Sequence, residues 1–99
     1  MKAATRLQVL RDEWQGDGPA LREALTYNRK LWTVLVSAAT APENPLPDAI
    51  KQNVANLGIF VFGHTLRVLA EPAPERLGVL VSINRELAAG LRAAAPAAA

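Results

Sequence analysis

Residues able to act as ligands, nucleophiles or acid–base groups are few and scattered in this sequence. A single histidine, His64, stands in a chain without cysteine, whereas a metal centre normally draws three or four ligands from such residues. No metal site, disulfide or thiolate nucleophile is expected. The acids Asp12, Glu13, Asp17, Glu23, Glu43, Asp48, Glu71, Glu75 and Glu86 fall mostly at helix ends or on polar faces, and none forms an acid–base pair. Ser37 and Ser82 lack a G-x-S-x-G context, and there is no phosphate-cradling or dinucleotide loop. The chain reads as a non-enzymatic binding or structural module that needs no cofactor.

The polar residues that stand out are embedded in apolar stripes, one on each long helical pattern: Asn28, His64 and Asn84. Leaving such a group buried without a partner costs about 1–3 kcal/mol. Two readings stay open. Either they hydrogen-bond backbone or one another and fix the register of a bundle, or they line a groove that a partner completes.

Four helical patterns must position them. Helix one is expected from about Ala3 to Trp14 on Leu7, Leu10 and Trp14, ending at Gln15-Gly16-Asp17-Gly18. Helix two opens on Pro19 and runs to about Ala39, with the stripe Leu21, Leu25, Asn28, Trp32, Leu35, Ala39 in steps of four and three. Pro42, Asn44 and Pro45 break it. Helix three spans Asp48 to Ala70 behind Pro47, placed at the first helical position, with Ile50, Val54, Leu57, Val61, His64 and Val68 facing inward. Helix four runs from Pro74 to about Arg92 on Leu77, Leu80, Asn84, Leu87 and Leu91.

Helix three is apolar nearly all round, with no permanent charge between Lys51 and Arg67, and is taken as the long central element. Gln52, Asn53, Asn56 and His64 interrupt it, against a membrane span of about 20 apolar residues. Gly58 and Gly63 within it each cost about 0.5–1 kcal/mol relative to Ala, so close approach of another helix, of this chain or of a partner, is expected over the missing side chains.

No stretch alternates with period two, so the fold class is all-α: a small four-helix, antiparallel, bundle-like domain. With 99 residues, 51% hydrophobic, the chain supports one core. Residues 1–92 form that domain, and the Ala-rich residues 93–99 are expected to be a disordered tail. Net charge is only +2, without the clustered Lys and Arg of a dedicated nucleic-acid surface. The N-terminus carries no apolar h-region, so a cytoplasmic location is expected.

The runs Tyr27-Asn28-Arg29-Lys30-Leu31-Trp32, Asn44-Pro45-Leu46-Pro47, Leu57-Gly58-Ile59-Phe60-Val61 with His64-Thr65, Ile83-Asn84-Arg85 and Ala89-Gly90-Leu91 together resemble the FlaF family of flagellar-biosynthesis regulators. The likeness covers about Leu7 to Arg92, with a shorter lead before Leu7 than family members usually have. The resemblance implies a cytoplasmic helical protein that promotes flagellin synthesis and export, and that binds flagellin as a secretion chaperone. It also implies functional opposition to FlbT, a regulator that represses flagellin translation; an adaptor role exerted mainly through that regulator is the alternative.

On that reading, amphipathic helices of unpolymerised flagellin would lie in a groove flanked by helices two and three. Tyr27, Leu31, Phe60 and Phe62 are the expected anchors, with Arg29 at the rim, since aromatics and Arg dominate binding energetics. Phe60 and Phe62 equally suit a core position against helices one and four. Direct RNA binding is not expected unless Arg22, Arg29, Lys30, Arg67, Arg76 and Arg85 converge in space. A first helix that caps the groove and is displaced on binding is a further expectation.

Overall fold

Four helices account for nearly all of the described chain: α1 (Lys2–Asp12), α2 (Pro19–Thr40), α3 (Asp48–Ala70) and α4 (Pro74–Ala94). The computed structural model describes residues 2–16 and 18–94, without the side chains of Leu91, Ala93 and Ala94. The expectation of a disordered tail at 93–99 therefore lies largely outside the described residues, although α4 continues through Ala94.

Each boundary has a local cause. α1 stops at Asp12, short of Trp14, and the chain turns through Gly16 at φ 86°, a left-handed conformation that glycine adopts without steric cost. Trp14 sits in this connection, half-buried against the core. Gly18 is the extended residue before α2, and Pro19 fills the first turn, where a missing N–H costs nothing. Pro47 is the cap residue of α3 rather than its first helical residue. Its carbonyl accepts from the Ile50 and Lys51 amides, both at 3.0 Å.

Asn44 organises the α2–α3 connection. Its Nδ2 donates to the Ala38 carbonyl at 2.9 Å, and its Oδ1 accepts from the Leu46 amide at 2.9 Å. An open carbonyl in the last turn of α2 is thus satisfied by the loop itself. At the α3–α4 corner, Arg76 bonds both the backbone carbonyl and the carboxylate of Glu71.

The helices pack in a ring. α1 lies along α4 and, less extensively, α2; α3 lies along α2 and touches α4 lightly. Neighbours are antiparallel: Arg11 approaches Gly78 while Gln8 accepts a hydrogen bond from Arg85, and Leu25 meets Leu69 while Ala39 meets Val54. Leu7, Leu21, Leu25, Trp32, Val61, Val68, Leu77 and Leu80 are the large apolar residues of the core.

Two expectations for α3 are corrected. It is the longest helix, at 23 residues, but not central, because its contacts cover only the side facing α2 and α4. Nor is it a long apolar helix in the strong sense, since no described helix is long and apolar enough to cross a membrane. Of its expected inward stripe, Val54, Val61 and Val68 are buried, while Ile50, Leu57 and His64 are half-buried. The two glycines also part company. A Cβ at Gly58 would fall on a Val36 methyl, so that glycine is what lets α2 and α3 close together. Gly63 faces open space.

Candidate partner-binding groove

Asn28 and Asn84 are brought together across the bundle. The Trp32 indole Nε1–H donates to Asn84 Oδ1 at 2.7 Å, and Asn84 Nδ2 donates to Asn28 Oδ1 at 2.7 Å. All three residues are fully buried. This chain ties α2 to α4 along the diagonal of the ring, and a displacement of either helix by one turn would break both bonds at once. Asn28 Nδ2 is the one described buried side-chain polar atom left without a partner.

His64 does not belong to that network. It is half-buried at the α3–α4 corner, where Nε2 donates to the Arg76 carbonyl at 2.8 Å, tying the α3 side chain to backbone in the first turn of α4. Its ring stacks on Phe60, with centroids 5.4 Å apart. The three polar residues thus make internal bonds, and none lines the groove described next.

Along the α2–α3 seam a groove of about 340 Å³ lies open to solvent. Its α2 wall carries Thr26, Arg29 and Thr33, spaced three and four apart, with Leu25 below them. The α3 wall carries Phe62, Leu66 and Leu69, spaced four and three apart, over Thr65. Thr65 is buried and donates its hydroxyl to the Val61 carbonyl at 2.7 Å, so it presents little unmet polarity. The helical period explains the placement, because each set of residues forms a stripe beside the one that packs inward.

The apolar surface continues beyond the groove over the outer side of α3. Ile59 is 71% exposed and Leu66 68%. Leu66 lies at the groove edge and Ile59 one heptad before it on the same face, a costly exposure for residues worth about 1.5–3 kcal/mol each when fully buried.

Of the expected contact residues, Arg29 and Phe62 line this groove together. The other three are placed elsewhere. Tyr27 faces the α1 side of α2, its ring under the Arg6 guanidinium at 5.2 Å and the Lys2 ammonium at 6.0 Å. Leu31 is half-buried away from the groove, and Phe60 lies on the α3 flank occupied by His64. The helical step accounts for this, since Phe60 and Phe62 lie about 200° apart around the axis. Helix one does not cap the groove either: no α1 residue lines it. Leu66 and Leu69 stand outside the expected contact residues, although the Phe62-Leu66-Leu69 spacing records a second apolar stripe.

The cations whose convergence would open a nucleic-acid surface divide among several places. Arg22 and Lys30 gather near Arg6 and Tyr27, Arg29 faces the groove, and Arg76 and Arg85 are engaged by Glu71 and Gln8. Among the described residues no cluster of His, Cys, Asp or Glu could hold a metal ion.

No curated protein and no solved structure matches the chain. A family model, described as flagellar protein FlaF, matches residues 1–91, reaching further toward the N-terminus than the resemblance starting at Leu7. With nearly the whole chain matched, it belongs to the flagellar protein FlaF family.

Proposed function

We propose that this protein is a cytoplasmic flagellin chaperone that promotes flagellin synthesis and export by holding an amphipathic helix of unpolymerised flagellin in the α2–α3 groove. The supporting observation is the open groove, continuous with an outer α3 face on which Ile59 and Leu66 are about two-thirds exposed. A partner helix would lay its apolar stripe on Phe62, Leu66 and Leu69, the helix-in-groove mode of recognition. Arg29 and Phe62 keep their proposed roles as contacts. Tyr27, Leu31 and Phe60 fit this groove less well and would serve only a second contact face.

Release is part of the task, so moderate affinity suits it. A micromolar Kd corresponds to about −8 kcal/mol. Burying two or three exposed apolar side chains, at about 1.5–3 kcal/mol each, offsets part of the entropic cost of association, so a contact of that strength must extend beyond the groove over the outer face of α3.

The test is co-elution with monomeric flagellin in size exclusion, followed by hydrogen exchange. One-to-one binding with protected amides over α2 and α3 supports the reading. A well-folded protein that does not bind flagellin would overturn it and favour the adaptor role through a FlbT-type regulator, seen as a stable complex without flagellin.

A further inference from the structure

We infer that the segment held in the α2–α3 groove is an amphipathic helix that sets a carboxylate against Arg29 on the flank that faces α2. The inference rests on the reading of this groove as a docking site for flagellin, and it names the chemistry that the docked segment must carry.

The two walls of the groove are electrostatically unlike. On α3 the lining residues are Phe62, Thr65, Leu66 and Leu69, and no charged residue occurs between Lys51 and Arg67. Arg67 lies away from the groove, on the outer part of the helix. On α2, Thr26, Arg29 and Thr33 line the groove at steps of three and four, and Arg29 is the charged residue among them. The one acid of that helix, Glu23, lies on the Tyr27 side among Arg6, Arg22 and Lys30. Among the described residues no carboxylate pairs with Arg29.

A helix lying in the groove therefore meets hydrocarbon on one flank and the Arg29 guanidinium, between two threonines, on the other. Covering Arg29 with a purely apolar or basic helix would desolvate the guanidinium without a counter-charge, which is costly. A carboxylate there gains a charge-assisted bond beside a low-dielectric wall. The same arrangement selects against basic helices through like-charge repulsion.

The experiment uses the full chain, with two synthetic helical peptides as probes and monomeric flagellin alongside. The peptides share one leucine stripe and carry either Glu or Lys along one flank. Binding by fluorescence anisotropy is expected to favour the Glu peptide by about ten-fold, with the preference shrinking as salt rises. Arg29→Glu, checked for folding by circular dichroism, is expected to reverse the ranking, while Leu66→Asp weakens both peptides. Equal affinity for the two peptides, or binding of neither, overturns the inference. So does flagellin binding that is indifferent to Arg29→Glu at low and high salt, a result that leaves the flagellin reading intact. Preference for the Glu peptide with no flagellin binding supports the groove chemistry and overturns flagellin as the occupant.

Discussion

Asn84→Ala should be among the most damaging single substitutions in this protein, although it removes no hydrophobic group. Asn84 is fully buried and stands between two partners, accepting from the Trp32 indole and donating to Asn28 Oδ1, each at 2.7 Å. Truncation leaves an indole N–H and an amide oxygen without partners in the core. At about 1–3 kcal/mol for each orphaned group, the loss should be roughly 3 kcal/mol, a large share of the 5–15 kcal/mol typical of a domain.

Asn28→Leu should cost less, about 1 kcal/mol, because it also removes Nδ2, which has no partner in the native protein, and orphans only the Asn84 amide. The triple change Asn28→Leu, Trp32→Phe and Asn84→Leu leaves no polar group behind. It should be more stable than Asn84→Ala, at some loss of fixed register between α2 and α4. Urea unfolding followed by circular dichroism measures all three, with unchanged m-values required for the comparison. An Asn84→Ala variant within about 1 kcal/mol of wild type, or no less stable than Asn28→Leu, would refute the diagonal network as a stabilising element.

The two helical glycines should respond in opposite directions. Gly58→Ala places a methyl on the stiff, β-branched Val36 and should destabilise by about 1 kcal/mol after its propensity gain, whereas Gly63→Ala, open to solvent, should stabilise by about 0.5–1 kcal/mol; thermal melts distinguish them. His64→Ala removes the bond to the Arg76 carbonyl and should cost about 1 kcal/mol, with faster amide exchange confined to the first turns of α4. Leu66→Asp, at a strongly exposed site, should alter stability by no more than about 0.5 kcal/mol yet abolish co-elution with flagellin. Retained co-elution would place the binding face elsewhere.

Local rules placed much of this molecule in advance. Pro19 and Pro74 begin helices because fixed φ and an absent N–H suit a first turn, and Pro42, Asn44 and Pro45 end one. The stripes through Leu21, Leu25 and Trp32 on α2, and Leu77, Leu80 and Asn84 on α4, are buried as their spacing requires. Tertiary packing decided what periodicity leaves undetermined. Helix α3 carries apolar residues around most of its circumference, so its sequence alone does not say which side packs; the fit of Gly58 against Val36 turns that side toward α2 and leaves Ile59, Gly63 and Leu66 outward. Whether Asn28, His64 and Asn84 meet likewise depends on which helices lie across the diagonal. The groove belongs to neither helix by itself. Arg29 and Phe62 face each other only because antiparallel packing aligns a Thr-Arg-Thr stripe on α2 with a Phe-Leu-Leu stripe on α3, a register fixed by contacts between residues some 30 positions apart.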